Sequence, residues 1–176
     1  MNFPTWMLPE EIKLLESYLR PEDVMLEYGC GGSTLRFSQL VKKYYSVEHD
    51  QEWFAKVSSE IVATSNIVLH HVSVLPEVGK EFDDYISFPK QLKIHFNKVL
   101  IDGRARSHCA KFIKQYLADD ALIFIHDFFP RSSYWWVLEK DYQLIDSSVT
   151  PALNYLVKSK QPVDALTLAV LKPRFT

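Results

Sequence analysis

The chain has 176 residues and a formal net charge of −2, with 47% hydrophobic and 24% charged residues. These proportions exclude a chain that is disordered throughout, and the lack of a basic block argues against a nucleic-acid partner. A chain of this length can bury a full core without disulfides or metals. We therefore predict a single domain over residues 1–176.

The cysteines and the first residues bear on where the protein works. Cys30 and Cys109 are too few for a disulfide framework, and they form no CxxC pair. The first six residues have neither the basic nor the apolar region of a secretion signal, and no apolar run approaches the ~20 residues of a membrane span. We expect a cytoplasmic protein in a reducing compartment, without a membrane partner.

Helix and strand patterns alternate along the chain. Residues 1–22 hold one predicted helix, which begins at Pro9 because proline favours a first turn and ends before Pro21. The glycine-rich segment after the first strand leads into a second helix, for which Ser33 or Thr34 is the predicted N-cap. The predicted strands are residues 24–28, 44–48, 66–72, 98–101, 122–126, 143–149 and 165–172.

Later helices are predicted over residues 51–64, from an N-cap at Ser107, and over residues 131–140. Residues 76–96 contain two prolines and a glycine, so we predict an irregular, lid-like loop with a short helix. Strands that alternate with helices indicate a parallel sheet covered on both faces. No helix is predicted between the last two strands, which favours an antiparallel pair at one edge. The fold class is therefore α/β, with a doubly wound, mostly parallel sheet of seven strands.

In such sheets the ligand lies beyond the carboxyl ends of the strands. That rule selects four segments, each rich in glycine or polar residues: residues 27–34, 48–50, 102–106 and 126–127.

The first of these segments clusters three of the five glycines of the chain. No lysine follows them, so they do not form a phosphate-binding loop. Gly29 and Gly31 fit a dinucleotide fingerprint, but Thr34 occupies the place of its third glycine. The remaining pattern is acid-x-Gly-x-Gly at the end of a strand, beginning at Glu27.

This pattern resembles the first motif of class I S-adenosylmethionine-dependent methyltransferases, and the resemblance extends from about Val24 to Lys172. Glu48 matches the family's acidic residue for the ribose hydroxyls. Asp102-Gly103 and His126-Asp127 resemble the ends of the fourth and fifth strands in small O-methyltransferases. The resemblance implies the strand order 3-2-1-4-5-7-6, with strand 7 antiparallel.

The resemblance also implies a cofactor, S-adenosylmethionine, with S-adenosylhomocysteine as its product. Glu27 would attract the ammonium group, the helix after Gly32 would offer N–H groups to the carboxylate, and the Glu48 carboxylate suits a diol. A plain tight turn and a solvated acid are the alternatives for the loop and for Glu48. The predicted cofactor-binding residues are Glu27, Gly29, Gly31, Gly32, Ser33, Thr34, Glu48 and His49.

The predicted catalytic residues are Asp102, His126 and Asp127. In the catechol-type branch of the family, acids at the places of Asp102 and Asp127 bind Mg²⁺, which lowers the pKa of a hydroxyl group. Phe128 stands where that branch has an asparagine, which counts against a metal. The alternatives are a general base, namely Asp102, His126 or His108, or a carboxylate at Asp102 that merely caps the next helix.

Arg104, Arg106 and Arg131 are the predicted substrate-binding residues, because arginine binds carboxylates and phosphates bidentately. They favour an anionic small-molecule acceptor, and internal pairs with aspartates are the alternative. The motifs of nucleic-acid base methylation are missing after the fourth strand, so O-methylation of a small molecule or sugar is the predicted reaction. A nicotinamide-dependent oxidoreductase and an inactive cofactor-binding module remain as alternatives. A homodimer follows if a partner chain completes the pocket.

Overall fold

The structure is a computed structural model that describes residues 3–62, 66–129, 133–148 and 168–175. Seven strands form one sheet. They are β1 (Val24–Tyr28), β2 (Lys43–Glu48), β3 (Ile67–His71), β4 (Phe96–Ile101), β5 (Leu117–Ile125), β6 (Tyr142–Ser147) and β7 (Ala169–Pro173). The seven described α-helices are α1 (Pro9–Tyr18), α2 (Gly32–Phe37), α3 (Gln51–Glu60), α4 (Asp83–Ser87), α5 (Pro89–Leu92), α6 (Arg106–Ile113) and α7 (Ser133–Leu138).

The order of the strands is β3-β2-β1-β4-β5-β7-β6. The first five strands along the chain pair in parallel, and β7 is antiparallel to both of its neighbours, β5 and β6. The predicted fold class and strand order are therefore confirmed. The carboxyl ends of β1, β2, β4 and β5 meet at one edge of the sheet, which brings the four polar segments together.

Side chains alternate between the two faces of the sheet and form two cores. On one face Met25, Leu100 and Phe124 pack with Leu15 of α1. On the other face the core includes Tyr28 together with residues of α4 and α6. Helices thus cover both faces, as the alternation of elements predicts.

Several local predictions are wrong in detail. Ser33 and Thr34 are not N-caps, because α2 begins at Gly32 and both hydroxyls bond to Glu27 instead. Ser107 is not an N-cap either, since α6 begins at Arg106 after Ala105, whose φ is 50°. The helix predicted over residues 51–64 ends at Glu60, and residues 63–65 lie outside the described residues. Residues 131–132, 149 and 165–167 of three other predicted elements also lie outside them.

Residues 76–96 contain two short helices, α4 and α5, and are anchored to the core. Tyr85 and Phe88 are buried there, and the Tyr28 hydroxyl donates a 2.9 Å hydrogen bond to the carbonyl of Ile86. The α4 part of the segment is therefore packed down in this structure. Among the described residues, no helix is both long enough and apolar enough to cross a membrane.

The position of Tyr85 also explains why residue 103 is a glycine. A Cβ on Gly103 would lie 2.1 Å from the Tyr85 hydroxyl and 3.1 Å from the backbone nitrogen of Gly29. The Tyr85 hydroxyl is itself buried and has no hydrogen-bond partner among the described residues. The close approach of the ends of β1 and β4, with Tyr85 of α4 packed against them, therefore leaves no room for a side chain at residue 103.

We expect Gly103→Ala to lower the free energy of unfolding by about 1–3 kcal/mol, the range for inserting a group into a packed core. Tyr85→Phe removes the colliding hydroxyl and should recover part of that loss in the double variant. Chemical denaturation of the four proteins of this cycle measures the coupling. Additive effects would show that Tyr85 does not constrain Gly103.

Candidate functional site

A pocket of about 630 Å³ lies at the carboxyl ends of the strands, and all four polar segments contribute to it. Its lining contains seven of the eight predicted cofactor-binding residues: Glu27, Gly29, Gly31, Gly32, Ser33, Glu48 and His49. It also contains five residues that the sequence assigns to catalysis or to the acceptor: Asp102, Arg104, Arg106, His126 and Asp127. Thr34 is buried behind the pocket, and Arg131 lies outside the described residues.

Glu27 is a fully buried carboxyl group at the end of β1. The Ser33 hydroxyl donates to its Oε1 and the Thr34 hydroxyl to its Oε2, each at 2.5 Å. The Thr34 oxygen in turn accepts a hydrogen bond from the backbone N–H of Gly31 at 2.9 Å. Burial raises the pKa of Glu27 to about 8, although the two hydroxyl groups act to lower it. Ser33 and Thr34 thus contribute to the site by holding Glu27.

Glu48, at the end of β2, is an anchored anion. Its Oε2 accepts a hydrogen bond from the backbone N–H of Cys30 at 3.0 Å, which ties β2 to the glycine loop. Its Oε1 accepts from the backbone N–H groups of His49 and Asp50 at 2.7 and 2.8 Å. Burial acts to raise the pKa of Glu48, but the His49 ring, whose Nδ1 lies 2.8 Å from Oε1, and the hydrogen bond from the Asp50 backbone outweigh it and hold the pKa below its usual value.

The glycine loop between these acids has one strained position and one open position. Gly29 has a φ of 103°, which disfavours any residue with a side chain. A Cβ on Gly31 would meet nothing closer than the Trp53 ring, at 3.8 Å. The backbone at Gly31 is therefore open to whatever enters the pocket.

The N-terminal segment, residues 3–8, crosses the start of α2 and forms one wall of the pocket. The rings of Phe3 and Trp6 each lie 5.5 Å from the ring of Trp53. A Cβ on Gly32 would lie 2.5 Å from the carbonyl carbon of Pro4. Pro4 and Trp6 line the pocket, although the Trp6 side chain is 73% exposed. Trp53 is a pocket residue that the sequence does not reveal, because a tryptophan in the first turn of a helix carries no signal of this contact.

On the opposite side of the pocket, charged residues form a network around Arg106. Its guanidinium donates to the backbone oxygens of Gly103, at 2.9 Å, and of His126. It also lies 3.2 Å from Asp127 Oδ2 and 3.4 Å from Asp102 Oδ1. The structure therefore favours internal pairing for Arg106 over substrate binding. Arg104 is exposed at the same part of the pocket.

His126 lies between two carboxylates. Its Nδ1 is 2.8 Å from Asp102 Oδ1, and its Nε2 is 3.3 Å from Oε2 of Glu11, a buried residue of α1. Burial acts to lower the pKa of His126, but the hydrogen bonds to Asp102 and Glu11 raise it to about 10. A protonated imidazole has no free lone pair, so the expectation that His126 acts as a general base does not fit this arrangement.

The predicted magnesium site does not fit these residues either. Asp102 and Asp127 both face the Arg106 guanidinium, so their charges already have a positive partner. Over the part of the chain that the structure describes, no group of three His, Cys, Asp or Glu residues is arranged to hold a metal ion.

No protein-family model matches this sequence, and no curated protein matches it. Solved structures, in contrast, match it in fold. A methyltransferase-like protein from Silicibacter pomeroyi has a TM-score of 0.72 at 21% identity, over 99% of this chain and 91% of that one.

Two further similar structures have lower identities. A Streptococcus mutans protein assigned as a methyltransferase, in complex with S-adenosylhomocysteine, has a TM-score of 0.63 at 11% identity, over 96% of this chain and 100% of that one. A tRNA methyltransferase from Bacillus subtilis has a TM-score of 0.58 at 12% identity, over 96% and 67%. The chain therefore has the fold of the class I S-adenosylmethionine-dependent methyltransferases.

Gly32→Ala should displace the N-terminal segment, because the new Cβ meets the Pro4 backbone, which cannot move without moving the segment. We expect a loss of stability of about 1–3 kcal/mol and a shift in tryptophan emission as Trp6 leaves Trp53. Gly31→Ala is the matched control, since its Cβ has room. Equal spectra for both variants would contradict the contact.

Glu27→Gln tests the protonation of the buried acid. The pKa of Glu27 in the fold, about 8, exceeds the usual 4.5, so its contribution to stability is present at low pH and is lost as the pH rises toward 8. Relative to wild type, the variant should gain on the order of 2 kcal/mol or more between about pH 5 and pH 8.

Urea denaturation across that pH range makes the measurement, with Glu22→Gln, an exposed acid before β1, as the control. A difference between Glu27→Gln and wild type that does not change with pH would mean that Glu27 is ionised throughout.

Proposed function

We propose that this protein is a methyltransferase that transfers a methyl group from S-adenosylmethionine to an oxygen atom of a small-molecule acceptor. One observation carries the proposal. Two buried acids, Glu27 and Glu48, flank a glycine loop and face one pocket, at the carboxyl ends of the strands of this fold. The Streptococcus mutans structure of similar fold holds S-adenosylhomocysteine, which supports the choice of cofactor.

The residues of the pocket fit the cofactor group by group. Glu27, held by Ser33 and Thr34, would pair with the ammonium group, whose positive charge favours the ionised form of this buried acid. Glu48 would accept hydrogen bonds from the ribose hydroxyls, because each of its oxygens has two lone pairs and, among the described residues, Oε2 receives one backbone hydrogen bond, from Cys30. The open backbone at Gly31 admits the amino-acid part without a clash.

When bound, S-adenosylmethionine supplies a methyl group on a positively charged sulfur. The chain's own contribution is to position the acceptor and to take up its proton. Asp102 suits the second task, since its side chain is 25% exposed at the pocket. His126 and Arg106 contact Oδ1, and among the described residues no hydrogen bond reaches Oδ2. Oδ2 of Asp102 is therefore the proposed proton acceptor, with the network behind it holding the carboxylate in place.

Charge around the pocket favours a small acceptor over a nucleic acid. At neutral pH the described lining holds five carboxylates, from Glu48, Asp50, Glu52, Asp102 and Asp127, because burial raises the pKa of Glu27 to about 8. It also holds four cations, namely Lys56, Arg104, Arg106 and the protonated His126. Without a surplus of positive charge the pocket lacks the attraction on which binding to a phosphate backbone depends, whereas exposed Arg104 can contact one carboxylate of a small acceptor. The volume of about 630 Å³ is in the range of small-molecule sites.

The first experiment is calorimetric titration of the purified protein with S-adenosylhomocysteine, and with NADH in parallel. We expect micromolar binding of the former and none of the latter. Binding of NADH alone would replace the proposal by a nicotinamide-dependent oxidoreductase. Binding of neither would indicate a fold without this activity.

Glu48→Gln should weaken the binding of S-adenosylhomocysteine by about 1–3 kcal/mol, the scale for polar partners left unmade in a buried site. Asp119→Asn, an exposed acid on β5, is the control and should leave the affinity unchanged. Equal affinities for Glu48→Gln and wild type would remove Glu48 from the cofactor site.

Methyl transfer from labelled cofactor then separates the acceptor classes. Label should enter small phenols, sugars or hydroxy acids and leave tRNA and rRNA unlabelled. Label in RNA would overturn the small-molecule assignment while keeping the methyltransferase.

A further inference from the structure

Glu11 has surroundings that its place in the sequence does not explain. It is one of two glutamates in the first turn of α1, where acids favour the positive end of the helix. Its neighbour Glu10 is exposed in the usual way, but the Glu11 side chain is 1% exposed. Burying a carboxylate costs free energy unless it is paired and hydrogen-bonded.

Glu11 has one partner at the start of its own helix and another at the end of β5. Its Oε2 accepts a 2.7 Å hydrogen bond from the backbone N–H of Leu8, which closes the start of α1. The same oxygen lies 3.3 Å from His126 Nε2, at the end of β5. His126 thus gives the buried carboxylate a charged partner, while its other oxygen, Oε1, has no hydrogen-bond partner among the described residues.

His126 consequently has a carboxylate on each ring nitrogen, Glu11 on Nε2 and Asp102 on Nδ1. A neutral imidazole carries one N–H and can donate to only one of them, so satisfying both requires the doubly protonated ring. The other charged groups that face it are Asp127, whose Oδ1 is 3.8 Å from Nδ1, and Arg106, which bonds to the His126 carbonyl.

We propose that Glu11 is a positioning residue of the methyl-transfer site, because it holds the charge and orientation of His126 and, through His126, the carboxylate of Asp102. Glu11 is not part of the pocket lining, so it acts without touching either reactant. The role in methyl transfer rests on the function proposed above. The chain of contacts itself involves only the protein and can be tested without cofactor or acceptor.

Glu11→Gln keeps the shape of the side chain and removes its charge. The apparent pKa of His126, followed through its ring ¹⁵N and ¹³C signals by NMR, should fall by about one unit or more, the scale for losing an opposite charge at this distance. The side-chain carboxyl ¹³C signal of Asp102 should move in the same spectra. Glu10→Gln, the exposed neighbour, should change neither signal, and exposed His108 is an internal reference.

A purely structural role for Glu11 would lower the melting temperature without changing the His126 titration, and that result would overturn the proposal. If Glu11→Gln does not fold, Glu11→Asp retains the charge and should keep His126 protonated as in wild type, whereas a lowered pKa in that variant would count against it. Failure to bind S-adenosylhomocysteine would contradict the proposed function but leave the NMR result intact, so the two failures are distinguishable.

Discussion

Buried carboxylates need hydrogen-bond donors, and this requirement organises the whole carboxyl edge of the sheet. Glu27 takes its donors from the hydroxyl groups of α2, and Glu48 takes its donors from the backbone of the glycine loop and of the residues before α3. Glu11 is paired with His126 and the start of α1. Each of these three acids therefore holds a helix against the carboxyl edge of the sheet, and together the three contacts help to define the pocket.

The parallel sheet can be predicted from the sequence because it depends on features that are repeated along the chain. Alternating apolar strands and amphipathic helices indicate the parallel sheet, and the resemblance to methyltransferases supplies the order with its antiparallel β7. Cap residues are harder to predict. Ser33 and Thr34 are good N-caps by residue type, but a buried acid six or seven residues earlier takes both hydroxyls.

The residues of the site likewise divide into those that the sequence predicts and those that it does not. Residues at strand ends are predictable because topology alone brings them to one edge, which is why Glu27, Glu48, Asp102 and His126 line one pocket. Contacts between segments that are distant in the sequence leave no local signal. Glu11 has the sequence signature of an ordinary helix start, and the collision that excludes a side chain at Gly103 depends on Tyr85. Arg106 is a plausible substrate arginine by position, and only its partners identify it as internal.

The docking of α1 has a consequence for the order in which the chain folds. Besides the Glu11 contact with His126, Tyr18 at the other end of the helix donates a 2.8 Å hydrogen bond to Asp146 of β6. Both anchors lie far along the chain, so the loop-closure entropy of joining them is lost before either contact can form. During synthesis α1 can pack against β1 early, but its two polar anchors form only after β5 and β6 have left the ribosome. A nascent chain that lacks these strands cannot assemble the acidic side of the pocket, and the complete site appears only at the end of folding.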